Sequence, residues 1–280
     1  MIVQSSAIFK RKDAQMGTNK RKKLTPVGVW HWTRLVYRSI LFLLLIYSYI
    51  RYRFIYHQPF VIGLEKMPGI IIFVWTVYVI EMIFRSSPAK IESPGCQKQF
   101  ARNYIKTGET DVIVHDNNAT MLVALIWIVF NGIFGMLHMM GILDDGIMIV
   151  LCSAYSVCDM ICILFFCPFQ SWFLKNKCCS ACRIYNWDYA MMFTPLFFVR
   201  RDYAWSLLAL SVALLIRWEV TFFRHPERFS ENTNAYLHCK NCTEKLCAHK
   251  KQLTSLWKQI EEYAAERIKR LKGVGGGGSQ

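Results

Sequence analysis

Charge is scarce in this chain of 280 residues: 19% of its side chains are Asp, Glu, Lys or Arg, against 54% that are hydrophobic. A soluble domain usually carries about a quarter charged residues, so the balance excludes a disordered chain and argues against an ordinary soluble core. No internal repeat is evident, and there is no low-complexity segment apart from GGGGSQ at Gly275–Gln280, which reads as a linker. A glycine-rich phosphate loop, HExxH, GxSxG and a paired-carboxylate arrangement are all missing, so no motif names a hydrolase or a nucleotide enzyme. The basic N-terminus is not followed by a short apolar stretch with a small-residue cleavage site, so no signal peptide is expected.

What the sequence does have is apolar residues in blocks, with nine Trp, thirteen Tyr and nineteen Phe, the rings that settle at lipid headgroup level. A crossing needs about 20 mostly apolar residues. Residues 35–50, 69–84, 119–143, 147–169 and 203–223 qualify, the last despite Arg217 and Glu219 near its end. A sixth segment, 182–199, reaches a spanning length only with its half-polar start, and Pro195 kinks it. The expected fold is therefore an all-α polytopic membrane bundle of six helices. A basic arm at 1–34 precedes it, a tail at 224–272 follows it, and 273–280 is linker-like.

Lys and Arg in short loops stay on the cytoplasmic side. Six crossings with both termini cytoplasmic place twenty-seven cations inside, Arg34 among them, and five outside. Five crossings would put the eleven cations of the tail outside and largely erase this asymmetry, so six is preferred. The net charge of +15 then belongs to the cytoplasmic rim rather than to nucleic acid, for which no reading domain remains. The loop 85–118 is expected to hold a short interfacial helix near 97–105, and residues 250–272 an amphipathic cytoplasmic helix. The sequons at Asn118 and Asn241 fall on the cytoplasmic side of this topology.

Eleven cysteines without secretory features point to metal or redox chemistry. Cys178, Cys179 and Cys182 form CCxxC after the fourth block, and Cys239, Cys242 and Cys247 form CxxCxxxxC after the last. The topology brings both motifs to the cytoplasmic face. Cys179, Cys182, Cys239 and Cys242 supply the four soft ligands of an iron–sulfur cluster or of zinc, with Cys178, Cys247, His249 and Cys167 as further donors. The Cys167–Pro168 step and the membrane-edge position favour iron–sulfur, exchanging electrons with a quinone or another redox partner. Zinc, in a structural knot, is the alternative. A thioredoxin-type dithiol at Cys179 and Cys182 lacks its βαβ context.

Ionisable groups inside apolar blocks are site candidates because burying them is costly. Glu81, His138, Asp159, Arg217 and Glu219 qualify, with Asn131 as a neutral companion. Glu81, Arg217 and Glu219 lie near enough to an interface to snorkel or to pair locally. His138 and Asp159 differ in depth by roughly 10 Å along a hairpin that the Asp144–Gly146 turn should pack antiparallel, so they are not expected to meet directly. Cys158, Cys162 and Tyr155 share a helix face, better read as packing than ligation. Haem is not expected, since His138 lacks a partner at its depth. Asn186, Trp187 and Asp188, ahead of the Thr194–Pro195 kink, either line a pocket or act as an interfacial anchor with an Asp cap.

The run CCSACRIYNWDYAMMFTPL, then HPERF, then CKNCTEKLC, resembles a group of small polytopic bacterial membrane proteins without an established activity. The resemblance covers the second half of the chain and implies a location in the bacterial inner membrane. It carries no catalytic residues. Three functions follow: electron transfer through a cytoplasmic cluster; a transporter or channel-like protein with structural zinc and a path along Asp159, His138 and Asn131; or a scaffold subunit.

Overall fold

The computed structural model describes residues 25–88, 94–113, 117–174 and 182–241. Eight α-helices are found there: α1 (Pro26–Ile50), α2 (Phe60–Glu65), α3 (Pro68–Ser86), α4 (Pro94–Gln99), α5 (Asn117–Met139), α6 (Asp145–Leu164), α7 (Asp188–Phe193) and α8 (Asp202–Arg224). Among the described residues the only β-pairing is an isolated antiparallel bridge between Lys106 and Asn234. Five helices, α1, α3, α5, α6 and α8, are long and apolar enough to cross a membrane.

Local chemistry sets where these helices begin and end. Thr25 caps α1, its hydroxyl accepting the Gly28 N–H at 3.2 Å, and Pro26 fits the first turn because the amide hydrogen it lacks would have had no helical acceptor. The helix thus starts nine residues ahead of the apolar block 35–50, and the basic arm ends at residue 25 rather than 34. Hydropathy overlooked this start because His31 and Arg34 are polar yet buried. Asp144 caps α6 by accepting the Ile147 N–H at 2.8 Å, and α6 stops at Leu164, five residues short of the expected 169, ahead of Pro168. Gly141, at φ 74°, supplies the left-handed residue after α5.

Side-chain contacts define two ends of the bundle. At the lower end, where α1 and α5 begin and α3, α6 and α8 finish, Arg34 meets Glu81, Arg38 meets Asp159, and Arg183 bonds Asn117 and Glu219. At the upper end Tyr49 bonds Asp144 at 3.1 Å, His138 pairs with Asp145 at 2.8 Å, and Arg201 meets Glu65 at 3.2 Å.

Residues 182–199 form a broken rod: a 3-10 turn at Arg183–Trp187, then α7, then a second 3-10 turn at Thr194–Phe198. It starts beside Asn117 and Glu219 and finishes with the Phe198 ring against Gly135, where an added Cβ would overlap that ring. Residues 194–198 pack on both α5 and α6. The expected close packing of these two helices as a hairpin is thereby corrected: they run antiparallel, but the broken rod wedges between them, and their contacts include Trp127 with Tyr155, whose hydroxyl donates to Asn131 at 3.3 Å, and His138 with Asp145.

The core gathers where the rod meets α3, α6 and α8, around Tyr189, Met192, Phe193, Met148 and Trp218. Large apolar side chains elsewhere face outward, among them Phe73 at 64% and Ile128 at 65% exposure. Such a periphery suits lipid, since water would penalise it. The interfacial helix expected near 97–105 is instead a plug: Gln97, Lys98 and Gln99 on α4 are buried, and the chain beyond them pairs with residues 232–235. The Pro226–Arg228 turn folds Phe229 back onto Trp218 and Phe222.

Candidate functional site

Two pairs of charged residues at helical spacing build the site. Arg34 and Arg38 lie one turn apart on α1, about 12 and 18 Å along it from Pro26, and Glu81 and Arg85 lie one turn apart on α3. All four are at most 4% exposed. Two charges from other segments join them: Asp159 of α6 and Asp188 at the start of α7.

Glu81 is the hub. Its carboxylate meets Arg38 Nη2 at 2.7 Å and Arg34 Nε at 3.1 Å, and it accepts from the hydroxyls of Tyr37 and of Tyr189, the latter at 3.0 Å. Arg38 continues the network, its Nη1 reaching Asp159 Oδ2 at 3.1 Å and donating to the Ser156 carbonyl at 3.0 Å, while its guanidinium lies 5.7 Å from the Tyr78 ring centre. Arg85 pairs with Asp188 and stacks over Tyr185 at 4.8 Å and Tyr189 at 5.6 Å. Each guanidinium thus has a carboxylate and an aromatic face, the setting in which arginine is best tolerated away from water. Asn186 donates to Gln99 at 2.8 Å, tying the rod to the plug.

His31 stands apart. It is fully buried one turn before Arg34, with Arg38, Arg85 and Glu81 also in its electrostatic surroundings. Neither ring nitrogen has a hydrogen-bond partner among the described residues.

The residues singled out by sequence divide among several places. Glu81 and Asp159 belong to this network, and Glu81 is no snorkelling surface group, since four side chains bind it. His138 is taken by Asp145 at the upper end, so it and Asp159 do not meet. Asn131 is held locally, its amide donating to the Trp127 carbonyl at 3.0 Å. Glu219 pairs with Arg183 and accepts from Trp187 Nε1 at 2.7 Å, whereas Arg217 is exposed. Asn186, Trp187 and Asp188 face three different partners and line neither of the two cavities described below. The Asp188 carboxylate does accept the Tyr189 N–H at 2.9 Å.

Of the cysteines, Cys182 is buried against Ile163, Ile184 and their neighbours, and Cys167 lies beside Cys162. Cys178, Cys179, Cys242, Cys247 and His249 fall outside the described residues, as does the side chain of Cys239. Among the described residues no group of three or more metal-ligating side chains occurs. The amphipathic helix expected at 250–272 also lies outside them.

Sequence reasoning passed over Arg34, counted with the arm, and passed over Arg38, Arg85 and Tyr189. The available signal was the spacing: Arg34 with Arg38 and Glu81 with Arg85 present two opposed i, i+4 charge faces. No family model matches the chain, and no curated protein or solved structure is similar to it.

A cavity of about 390 Å³ lies above the network, between α1, α3, α6, α8 and the rod. Tyr78 separates it from Arg38. A second cavity of about 330 Å³ shares Leu41, Val74 and Tyr78 with the first and continues to Ile40 and Phe73.

Proposed function

We propose that this chain is a transporter-class protein with six crossings, in which the buried charge network is a latch at the cytoplasmic end. The observation that carries the reading is Glu81, which binds Arg34, Arg38 and Tyr37 of α1 and Tyr189 of α7. Charges this deep are expensive, and buried salt bridges are weak sources of stability. A network of them fits an element that must come apart and reform, because each released partner can find water or a solute at an open end. The start of the broken rod beside Glu219 and its end at Gly135 support counting it as a crossing, and the Lys and Arg bias supports cytoplasmic termini. A bacterial inner-membrane location rests on the resemblance alone. The four-cysteine centre stands as a separate proposal with its own test, metal content.

Labels carried by unnatural amino acids at Val29 and Phe84, both exposed near the lower end, would report the separation of α1 and α3 in proteoliposomes. Two exchanging distances are expected. Tyr37→Phe removes one hydrogen bond to a charged group, about 1.5 kcal/mol or more, and should shift their ratio toward the longer distance about tenfold. A single distance, unchanged in the variant, would leave a scaffold and remove the transporter reading.

A further inference from the structure

We propose that the larger cavity binds the acyl chain of a membrane phospholipid, entering from the bilayer between α1 and α3. The assignment rests on the chain lying in a membrane and not on the latch, so either can fail alone.

Leu45, Val74, Cys152, Phe193 and Leu207 are typical of the cavity walls, and no charged residue lines them. An ion or a sugar would lose its hydration there and recover nothing. Water gains little in a cavity of this polarity. The volume falls in the range of ligand sites between helices of a bundle.

Access to the cavity is from the side. α1 packs along α6 and α3 packs on α8, yet the backbones of α1 and α3 hardly approach one another. What joins these two helices is the network at their lower end. In the gap above it, the second cavity leads from Leu41 and Val74 to Ile40 and Phe73, which are 52% and 64% exposed on the outer face. A site that opens sideways onto lipid meets lipid chains at solvent concentration.

One polar atom marks the upper end of the cavity. The Tyr203 hydroxyl, in the first turn of α8 at the upper end, belongs to a cavity-lining residue, is buried and has no hydrogen-bond partner among the described residues. A chain descending from the upper leaflet would bring its ester carbonyl to this level and accept that proton. The methylene tail would then run down toward Tyr78, filling space that otherwise forfeits packing contacts.

The experiment uses the full chain in nanodiscs containing a phosphatidylcholine with a diazirine near the end of one acyl chain. Irradiation and peptide mapping should place adducts on cavity residues of α1 and α3 at several times the level found around Ile128, which faces outward from α5. Val74→Trp and, separately, Leu45→Trp fill the cavity and should cut those adducts at least fivefold while leaving the Ile128 adducts unchanged. Tyr203→Phe should lower cavity labelling two- to fivefold. Cavity labelling no higher than at Ile128 in the parent protein, or unaltered in both Trp variants, would overturn the proposal. Stronger labelling by a photoreactive free fatty acid than by the phospholipid would overturn the assignment to a membrane lipid.

Discussion

Glu81→Gln is the sharpest perturbation this structure offers, because it keeps the shape of the side chain and removes only its charge and one acceptor oxygen. In the parent protein the two carboxylate oxygens meet Arg34 at 3.1 Å, Arg38 at 2.7 Å, Tyr189 at 3.0 Å and Tyr37. Glutamine presents a single oxygen to these donors and turns an NH2 group toward the rest, donor against donor. Arg38 keeps Asp159, while Arg34 loses this ion pair at 1% exposure. Removing one partner of a buried ion pair costs about 3–5 kcal/mol, and at 2–4 °C per kcal/mol for chains approaching this size the melting temperature should fall by roughly 10 °C. Thermal unfolding in detergent, followed by intrinsic fluorescence, measures it. Arg217→Gln, on an exposed residue of α8, is the control and should shift the transition by less than about 0.5 kcal/mol. Adding Arg34→Met to Glu81→Gln should recover part of the loss, because it removes the charge that the single substitution strands while Arg38 keeps Asp159. A Glu81→Gln change below about 1 kcal/mol would refute the view that these charges are held away from water.

His31→Leu discards two buried, unpaired nitrogens and should leave stability equal or raised; a loss above about 1 kcal/mol would show that the imidazole has a bound partner. Gly135→Val drives a side chain into the Phe198 ring and should cost about 1–3 kcal/mol by overpacking, with Phe198→Leu recovering part in the double variant. Elemental analysis of the purified chain tests the cysteine motifs: a centre on Cys179, Cys182, Cys239 and Cys242 requires about one equivalent of zinc, or iron with sulfide, lost on serine replacement, and a metal-free preparation that remains folded would remove it. A topology reporter placed after Arg224 should register on the cytoplasmic side, and an external signal would remove the six-crossing count.

Composition and block length were enough to expect an all-helical bundle, since a run such as 119–143 has no soluble explanation. The ends of the helices were harder to read, for a physical reason. Trp30, His31 and Arg34 look like interface to a hydropathy window, yet they are helix because Thr25 caps them and Glu81 neutralises the arginines. The network itself was half visible. Glu81 and Asp159 stood out as charges in apolar blocks, but their partners were filed with the arm, the span and the loop. Pairing between α1 and α3 joins positions 43 residues apart, and no local pattern specifies which helices become neighbours. The wedge between α5 and α6 was hidden for a similar reason: the Asp144–Gly146 turn promises a hairpin, and only Phe198 seated on Gly135 reveals a third element between its arms.

The charge network and the cavity share their two walls, and this gives the molecule a mechanical asymmetry. Along most of their length α1 and α3 are held by different neighbours, α6 on one side and α8 on the other, with cavity between them. At the lower end they are joined through Glu81, and Asp159 draws α6 into the same knot. Tyr78 belongs to both regions, lining each cavity with its ring while Arg38 lies over that ring. A change in how tightly Arg38 is held therefore acts on the floor of the cavity, and a chain pressing on Tyr78 acts on Arg38. Coupling of this kind must be reciprocal in free energy. Tyr37→Phe should then alter acyl-chain labelling as well as helix separation, and filling the cavity through Val74→Trp should alter the distance ratio between positions 29 and 84. Cavity and latch variants that each move only their own readout would show the two to be neighbours without being coupled.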